Sequence, residues 1–130
     1  MIIDTCAFRD GAFIEALKRY HGRKCISPVT YTEMQVYLMG KKDKPQDYFD
    51  NILRKSNIEI VILRKKEAIA AVEIAIGKGE YNRNSRDYMI AAHAFTAPWL
   101  VITYNKRDFD YPGERVYEPG EFKKLKIEMK

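Results

Sequence analysis

The sequence of 130 residues has little cysteine and histidine and no long apolar run. Its two cysteines, Cys6 and Cys25, are too few for a disulfide scaffold and too isolated for a zinc cluster. No apolar run approaches the roughly 20 residues of a membrane-spanning helix. The first residues also lack the charged and small-residue features of a secretory signal. We therefore expect a cytoplasmic protein with reduced thiols and no membrane contact.

The composition is typical of one basic globular domain. A hydrophobic content of 46% can fill a packed core, and the length suits a single domain over residues 1–130. Lys and Arg number 23 against 18 Asp and Glu, which leaves a formal charge of +5. Such a charge favours a polyanionic partner, because neutralising phosphates releases counterions. Charge alone does not identify that partner.

Helical and extended patterns alternate along the chain. Apolar spacing, with Gly and Pro at the boundaries, predicts helices over residues 10–21, 28–39, 45–55, 65–76 and 85–96. Short apolar segments predict strands over residues 1–4, 24–27, 58–63, 99–103 and around 116–117. The alternation predicts an α/β fold with a mainly parallel central sheet flanked by helices. In such folds the ligand site lies beyond the carboxyl ends of the strands.

Four acidic residues are predicted to reach that edge of the sheet. Asp4 directly follows the first strand, and Asp108 follows the strand over 99–103. Glu33 and Asp87 share helix faces with apolar residues, so both point inward. A turn, a cap or an internal ion pair would explain each acid alone, but four cannot all ionise together without a countercharge. Oxygen ligands suit Mg²⁺ or Mn²⁺, and a hard cation on a basic protein suits phosphodiester hydrolysis.

Four segments resemble the motifs of the PIN domain, in the family's order and spacing. They cover residues 3–8, 27–33, 87–94 and 100–109. The resemblance implies a three-layer PIN-like fold and a metal-dependent ribonuclease. It is closest to the VapC-like toxins, so it further implies an RNA substrate, an antitoxin partner and a homodimer.

The resemblance also implies roles for individual residues. Asp4, Glu33 and Asp87 match the metal-binding acids of the family. The fourth position falls to Asp108 or Asn105. Many family members have an acid where this chain has Asn105. Asp108 must therefore reach in, or a second metal ion is held weakly.

Hydroxyl and basic residues complete the predicted site. Thr5 and Thr103 resemble the family residues that orient the acids. Lys78, Arg83 and Arg86 precede the third acid in a polar loop, and we expect them to contact the RNA backbone. Alternatively, these arginines are solvated or pair with a nearby glutamate.

Other functions fit parts of the pattern. One is a catalytically inactive PIN-like module that binds RNA, although the intact acids argue against it. Another is a stand-alone PIN nuclease of RNA processing. A phosphatase built on Asp4 would need a second acid two residues on, where Cys6 stands. His93 lies off the inward side of its helix, so we expect it to face solvent.

Overall fold

The computed structural model describes residues 1–79, 84–97, 99–109 and 115–124. Its sheet has five strands of two residues each, which lie in the order β3-β2-β1-β4-β5 and pair in parallel throughout. The strands are β1 Ile2–Ile3, β2 Cys25–Ile26, β3 Glu59–Ile60, β4 Val101–Ile102 and β5 Val116–Tyr117.

Helices connect these strands. The α-helices of the described ranges are α1 Gly11–Leu17, α2 Pro28–Gly40, α3 Asp47–Lys55, α4 Lys65–Lys78, α5 Ser85–Thr96 and α6 Pro119–Lys124. Short 3₁₀ helices follow β1 at Thr5–Arg9 and β4 at Lys106–Phe109. None of the helices within these ranges is long and apolar enough to cross a membrane.

Side chains alternate between the two faces of the sheet and so define three layers. Ile3, Ile26 and Ile102 join one hydrophobic cluster, to which α1, α2, α3 and α6 contribute. The residues before them in the strands, Ile2, Cys25 and Val101, join a second cluster formed with α4 and α5. The predicted α/β fold, with a parallel sheet between helices, is confirmed.

Two local predictions are wrong. The strand predicted over 58–63 is paired only at Glu59–Ile60, because the neighbouring strand β2 ends at Ile26. Ile62 beyond it is 74% exposed. His93 on α5 is buried rather than solvated, because α4 packs closely against α5.

The outer side of α4, opposite the side that packs on the core, is apolar and exposed. Ile69, Val72 and Ile76 lie at helical spacing along it, and Ile76 is 74% exposed. The inward side of α4 carries the smaller residues Ala71 and Ala75. Three large apolar residues of this helix therefore face away from the core, whereas Ile74 faces into it.

Candidate active site

The centre of the candidate site is the carboxylate of Asp4, which follows β1 directly and is only 3% exposed. Its Oδ1 accepts a hydrogen bond from the backbone N of Thr5 at 2.8 Å. Its Oδ2 accepts one from Thr103 Oγ1 at 2.7 Å. Thr103 reaches this position because Ile3 pairs with Ile102 in the sheet, so both strands end at the same level. The register of β1 and β4 thus fixes the orientation of this carboxylate.

Glu33 reaches the same edge from α2. Ser27 caps that helix through its hydroxyl, directly after β2, and Pro28 occupies the first turn. Glu33 Oε1 accepts a hydrogen bond from Thr5 Oγ1 at 2.7 Å. Its Oε2 accepts one from Arg86 Nη1 at 2.9 Å. Both predicted hydroxyl residues therefore contact a predicted acid.

A cleft of about 1160 Å³ brings three of the four predicted acids together. Asp4, Glu33 and Asp87 all line it, and Asp87 lies in the first turn of α5. Asn105 lines it as well, and its backbone N donates to Thr103 Oγ1 at 2.9 Å. These residues lie beyond the carboxyl ends of the strands, which is the edge where parallel sheets usually bind ligands.

The outcome differs among the other predicted site residues, which are Asp108, Arg83, Lys78 and Arg86. Asp108 belongs to the Lys106–Phe109 helix, but its side chain lies outside the described part of the structure. Arg83 also lies outside the described residues. Lys78 ends α4 and is not one of the described residues that line the cleft, whereas Arg86 is.

Sequence reasoning missed the structural role of Cys6. Its Sγ lies 3.2 Å from Asp4 Oδ2, to which it donates, and accepts the backbone N–H of Tyr104 at 3.2 Å. Burial and the neighbouring Asp4 charge raise the pKa of the Cys6 thiol, so it is protonated at neutral pH. The thiol therefore connects the first acid to the loop after β4. Its position two residues after Asp4 in a tight turn was the available signal.

The cleft continues from the acids onto apolar side chains. Met34, Tyr37, Leu38, Phe49 and Ile52 line this second part. The cleft thus has one acidic end and one apolar end.

The donor atoms fit a hard cation, although they are not gathered around one point. Among the described residues, no group of three His, Cys, Asp or Glu side chains is placed to hold a metal ion. Glu33 instead forms an ion pair with Arg86. Carboxylate and amide oxygens from Asp4, Glu33, Asp87 and Asn105 are nevertheless the ligand type that Mg²⁺ and Mn²⁺ prefer.

Comparisons with known proteins agree with this architecture. Residues 1–114 match the family model of the PIN domain. No curated protein sequence matches significantly. A toxin–antitoxin complex from Klebsiella pneumoniae is similar in structure, with a TM-score of 0.68 at 21% identity, covering 91% of this chain and 96% of that one. VapBC-1 from nontypeable Haemophilus influenzae has a TM-score of 0.67 at 17% identity, covering 92% and 97%.

Proposed function

Because the chain belongs to the PIN domain family, a family of nucleases, we propose that it is a metal-dependent endoribonuclease. We further propose that it is the toxin of a VapBC-type toxin–antitoxin pair, that residues 1–130 form a single nuclease domain, and that it acts in the cytoplasm. The observation that carries the proposal is the buried, hydrogen-bonded carboxylate of Asp4 in one cleft with Glu33 and Asp87.

Each polar residue has a task in this proposal. Asp4, Glu33 and Asp87, with Asp108 or Asn105 in the fourth position, would hold Mg²⁺ or Mn²⁺. When bound there, such a cation would supply an activated water and a positive charge beside the reacting phosphate. Thr5 and Thr103 hold the carboxylates of Glu33 and Asp4 through their hydroxyl groups.

The charges around the cleft support RNA as the substrate. Arg9, Lys18, Lys55 and Arg86 line it, next to the acids rather than on a remote face. The guanidinium of Arg9 also lies over the ring of Tyr104, 5.6 Å from its centre. Cationic side chains bind the phosphates of a single strand, and exposed aromatic rings stack on its bases. Lys78 and Arg83 stay predicted contacts for the same backbone.

A ribonuclease assay tests this function. A labelled single-stranded RNA of mixed sequence is incubated with the full chain in Mn²⁺ or in EDTA. We expect cleavage in Mn²⁺ only, and no cleavage by Asp4→Asn. Asp47→Asn is the matched control, because it makes the same change on the exposed surface of α3. Cleavage by Asp4→Asn at the wild-type rate would contradict the assignment.

An inactive RNA-binding module is the second candidate. The ion pair between Glu33 and Arg86 favours it, since it engages one predicted metal ligand. The same assay separates the candidates, because such a module binds the labelled RNA but leaves it intact in Mn²⁺.

The apolar end of the cleft supports an antitoxin partner. Met34, Phe49 and Ile52 form an apolar surface against which an apolar segment of another protein could pack. Such a segment would lie next to the acids and cover them. Co-expression with the product of the adjacent reading frame tests this proposal. We expect a stable complex in which the nuclease is inhibited, and separate elution of the two proteins would contradict it.

The exposed side of α4 supports a homodimer. An antiparallel second copy with its two-fold axis near Ile69 would cover the apolar stripe and place Lys66 of one copy beside Glu73 of the other. We expect Val72→Glu to convert the dimer to a monomer in light scattering coupled to size exclusion. A monomeric wild-type chain at high concentration would contradict this proposal.

A further inference from the structure

Arg86 is the basic residue of the cleft lining that contacts one of the predicted metal-binding acids. Its Nη1 donates to Glu33 Oε2 at 2.9 Å, while its side chain is 69% exposed. Glu33 is 25% exposed and gives its other oxygen to Thr5. Both oxygens of a predicted metal ligand therefore have protein donors in this structure, and one of these donors is a cation.

The ion pair with Arg86 is readily exchanged, because exposed ion pairs contribute little to stability. A divalent cation held by Glu33 would repel the positively charged guanidinium. Thr5 does not conflict with the cation in this way, since its hydroxyl is neutral. Metal binding and the Arg86–Glu33 pair are thus alternatives, whereas metal binding and the Thr5–Glu33 bond are compatible.

The released guanidinium would remain beside the reacting phosphate. Arg86 immediately precedes Asp87, and both lie at the start of α5 and line the cleft. Guanidinium groups bind phosphate oxygens through two parallel hydrogen bonds. Arg86 released from Glu33 would therefore still lie where it can bind a phosphate of the RNA.

We propose that Arg86 exchanges Glu33 for an RNA phosphate when metal binds, and so couples metal loading to RNA binding. This inference rests on the proposed function and adds a positioning role for one residue. Thermodynamic linkage requires the coupling to be reciprocal, so bound RNA strengthens metal binding by the same factor. RNA binding without metal would gain little from Arg86, because the carboxylate of Glu33 beside it would repel the phosphate.

The test measures binding rather than activity. A fluorescein-labelled single-stranded RNA of mixed sequence is titrated with the full chain in EDTA and in Ca²⁺, an oxygen-binding cation chosen to avoid cleavage. Calorimetry measures Ca²⁺ binding in parallel. Arg86→Ala is compared with Lys55→Ala, a matched control that removes a cleft cation on α3 for which no contact with Glu33 is seen.

We expect Ca²⁺ to tighten RNA binding of the wild type at least about fivefold, within the usual range of such couplings. Arg86→Ala should bind Ca²⁺ more tightly, bind RNA almost unchanged in EDTA, and lose at least about half of the Ca²⁺ enhancement. Lys55→Ala should weaken RNA binding equally with and without Ca²⁺. Arg86→Lys, which keeps the charge without the planar fork, should recover part of the enhancement.

Two results would overturn this inference alone. Weaker Ca²⁺ binding by Arg86→Ala would mean that Arg86 holds Glu33 in place for the metal. An unchanged Ca²⁺ enhancement would mean that Arg86 never reaches the RNA. A wild type that binds neither Ca²⁺ nor RNA would instead overturn the proposed function, and the inference with it.

Discussion

Asp4→Asn is the substitution whose effect on stability can be worked out most fully from the structure. Asp4 accepts three hydrogen bonds, from Thr5 N, Thr103 Oγ1 and Cys6 Sγ. An asparagine can keep its oxygen toward Thr5 N. Its amide nitrogen then replaces the oxygen that accepts from Thr103 and Cys6, so two donors lose their acceptor.

Two opposing effects set the size of the change. A hydrogen bond to a charged acceptor is worth about 1.5–3 kcal/mol, and most of that is lost at Thr103. Removing one charge from a group of acids relieves repulsion of about 1–2 kcal/mol, for charges about 10 Å apart at an effective dielectric constant of about 20. The ion pair of Glu33 with Arg86 reduces this relief further. We therefore expect the free energy of unfolding of Asp4→Asn to fall by about 1–2 kcal/mol.

Thermal unfolding in EDTA measures this quantity without metal. For a chain of this size, the expected loss lowers Tm by roughly 3–8 °C. Adding Mn²⁺ should raise the Tm of the wild type, because an ion at about 100 times its Kd stabilises the folded state by about 2.7 kcal/mol. Asp4→Asn should not respond to Mn²⁺. A variant with a higher Tm in EDTA would refute the reasoning, since repulsion would then outweigh the hydrogen bonds.

Three further results are expected. Burial lowers the pKa of His93, so the unfolded chain binds more protons and the free energy of unfolding should fall as pH drops below about 6.5. Chemical denaturation at several pH values should show a smaller dependence of this free energy on pH for His93→Leu than for the wild type. Gly79 has a φ of +72°, so Gly79→Ala should lower the free energy of unfolding by about 1 kcal/mol in denaturant titrations. Gly40→Ala should not lower it, because Gly40 is in a helical position with open space around it. Thr103→Val should keep the packing but remove the hydrogen bond to Asp4, which lowers the free energy of unfolding by about 1.5–3 kcal/mol. Calorimetry should also show weaker Mn²⁺ binding by this variant. An unchanged Mn²⁺ affinity would show that this hydroxyl does not orient the acid.

The sequence was sufficient to predict the fold and the common location of Asp4, Glu33 and Asp87 in one cleft. Alternating periodicities predicted the order of strands and helices, and the parallel sheet followed from it. Asp4 and Thr103 could be brought together because each directly follows a strand. Asp87 could be placed because it shares a helix face with apolar residues that are buried. The same argument fails for Glu33, because Val36 and Tyr37 on its side of α2 are largely exposed. These are local patterns. They predict a common location because the carboxyl ends of parallel strands meet at one edge of the sheet.

Pairings between distant side chains were not predictable in this way. Arg86 and Glu33 are 53 residues apart, and the reach of a long arginine side chain leaves no periodic signal. His93 could not be placed because its burial depends on how closely α4 approaches α5. An edge strand such as β3 can carry the same β-branched residues as a central one. The roles of Asp108 and Arg83 stay predictions.

The hydrogen bond between Asp4 and Thr103 joins residues that are 99 positions apart, and this has a consequence for the protein during its own synthesis. A chain emerges from the ribosome with its N-terminus first. The segment of β1 is therefore made long before β4 is available to pair with it. Until then Asp4 lacks the hydrogen bond from Thr103. The proposed nuclease thus remains inactive while it is being translated, and the ribosome that makes it is not exposed to a finished active site.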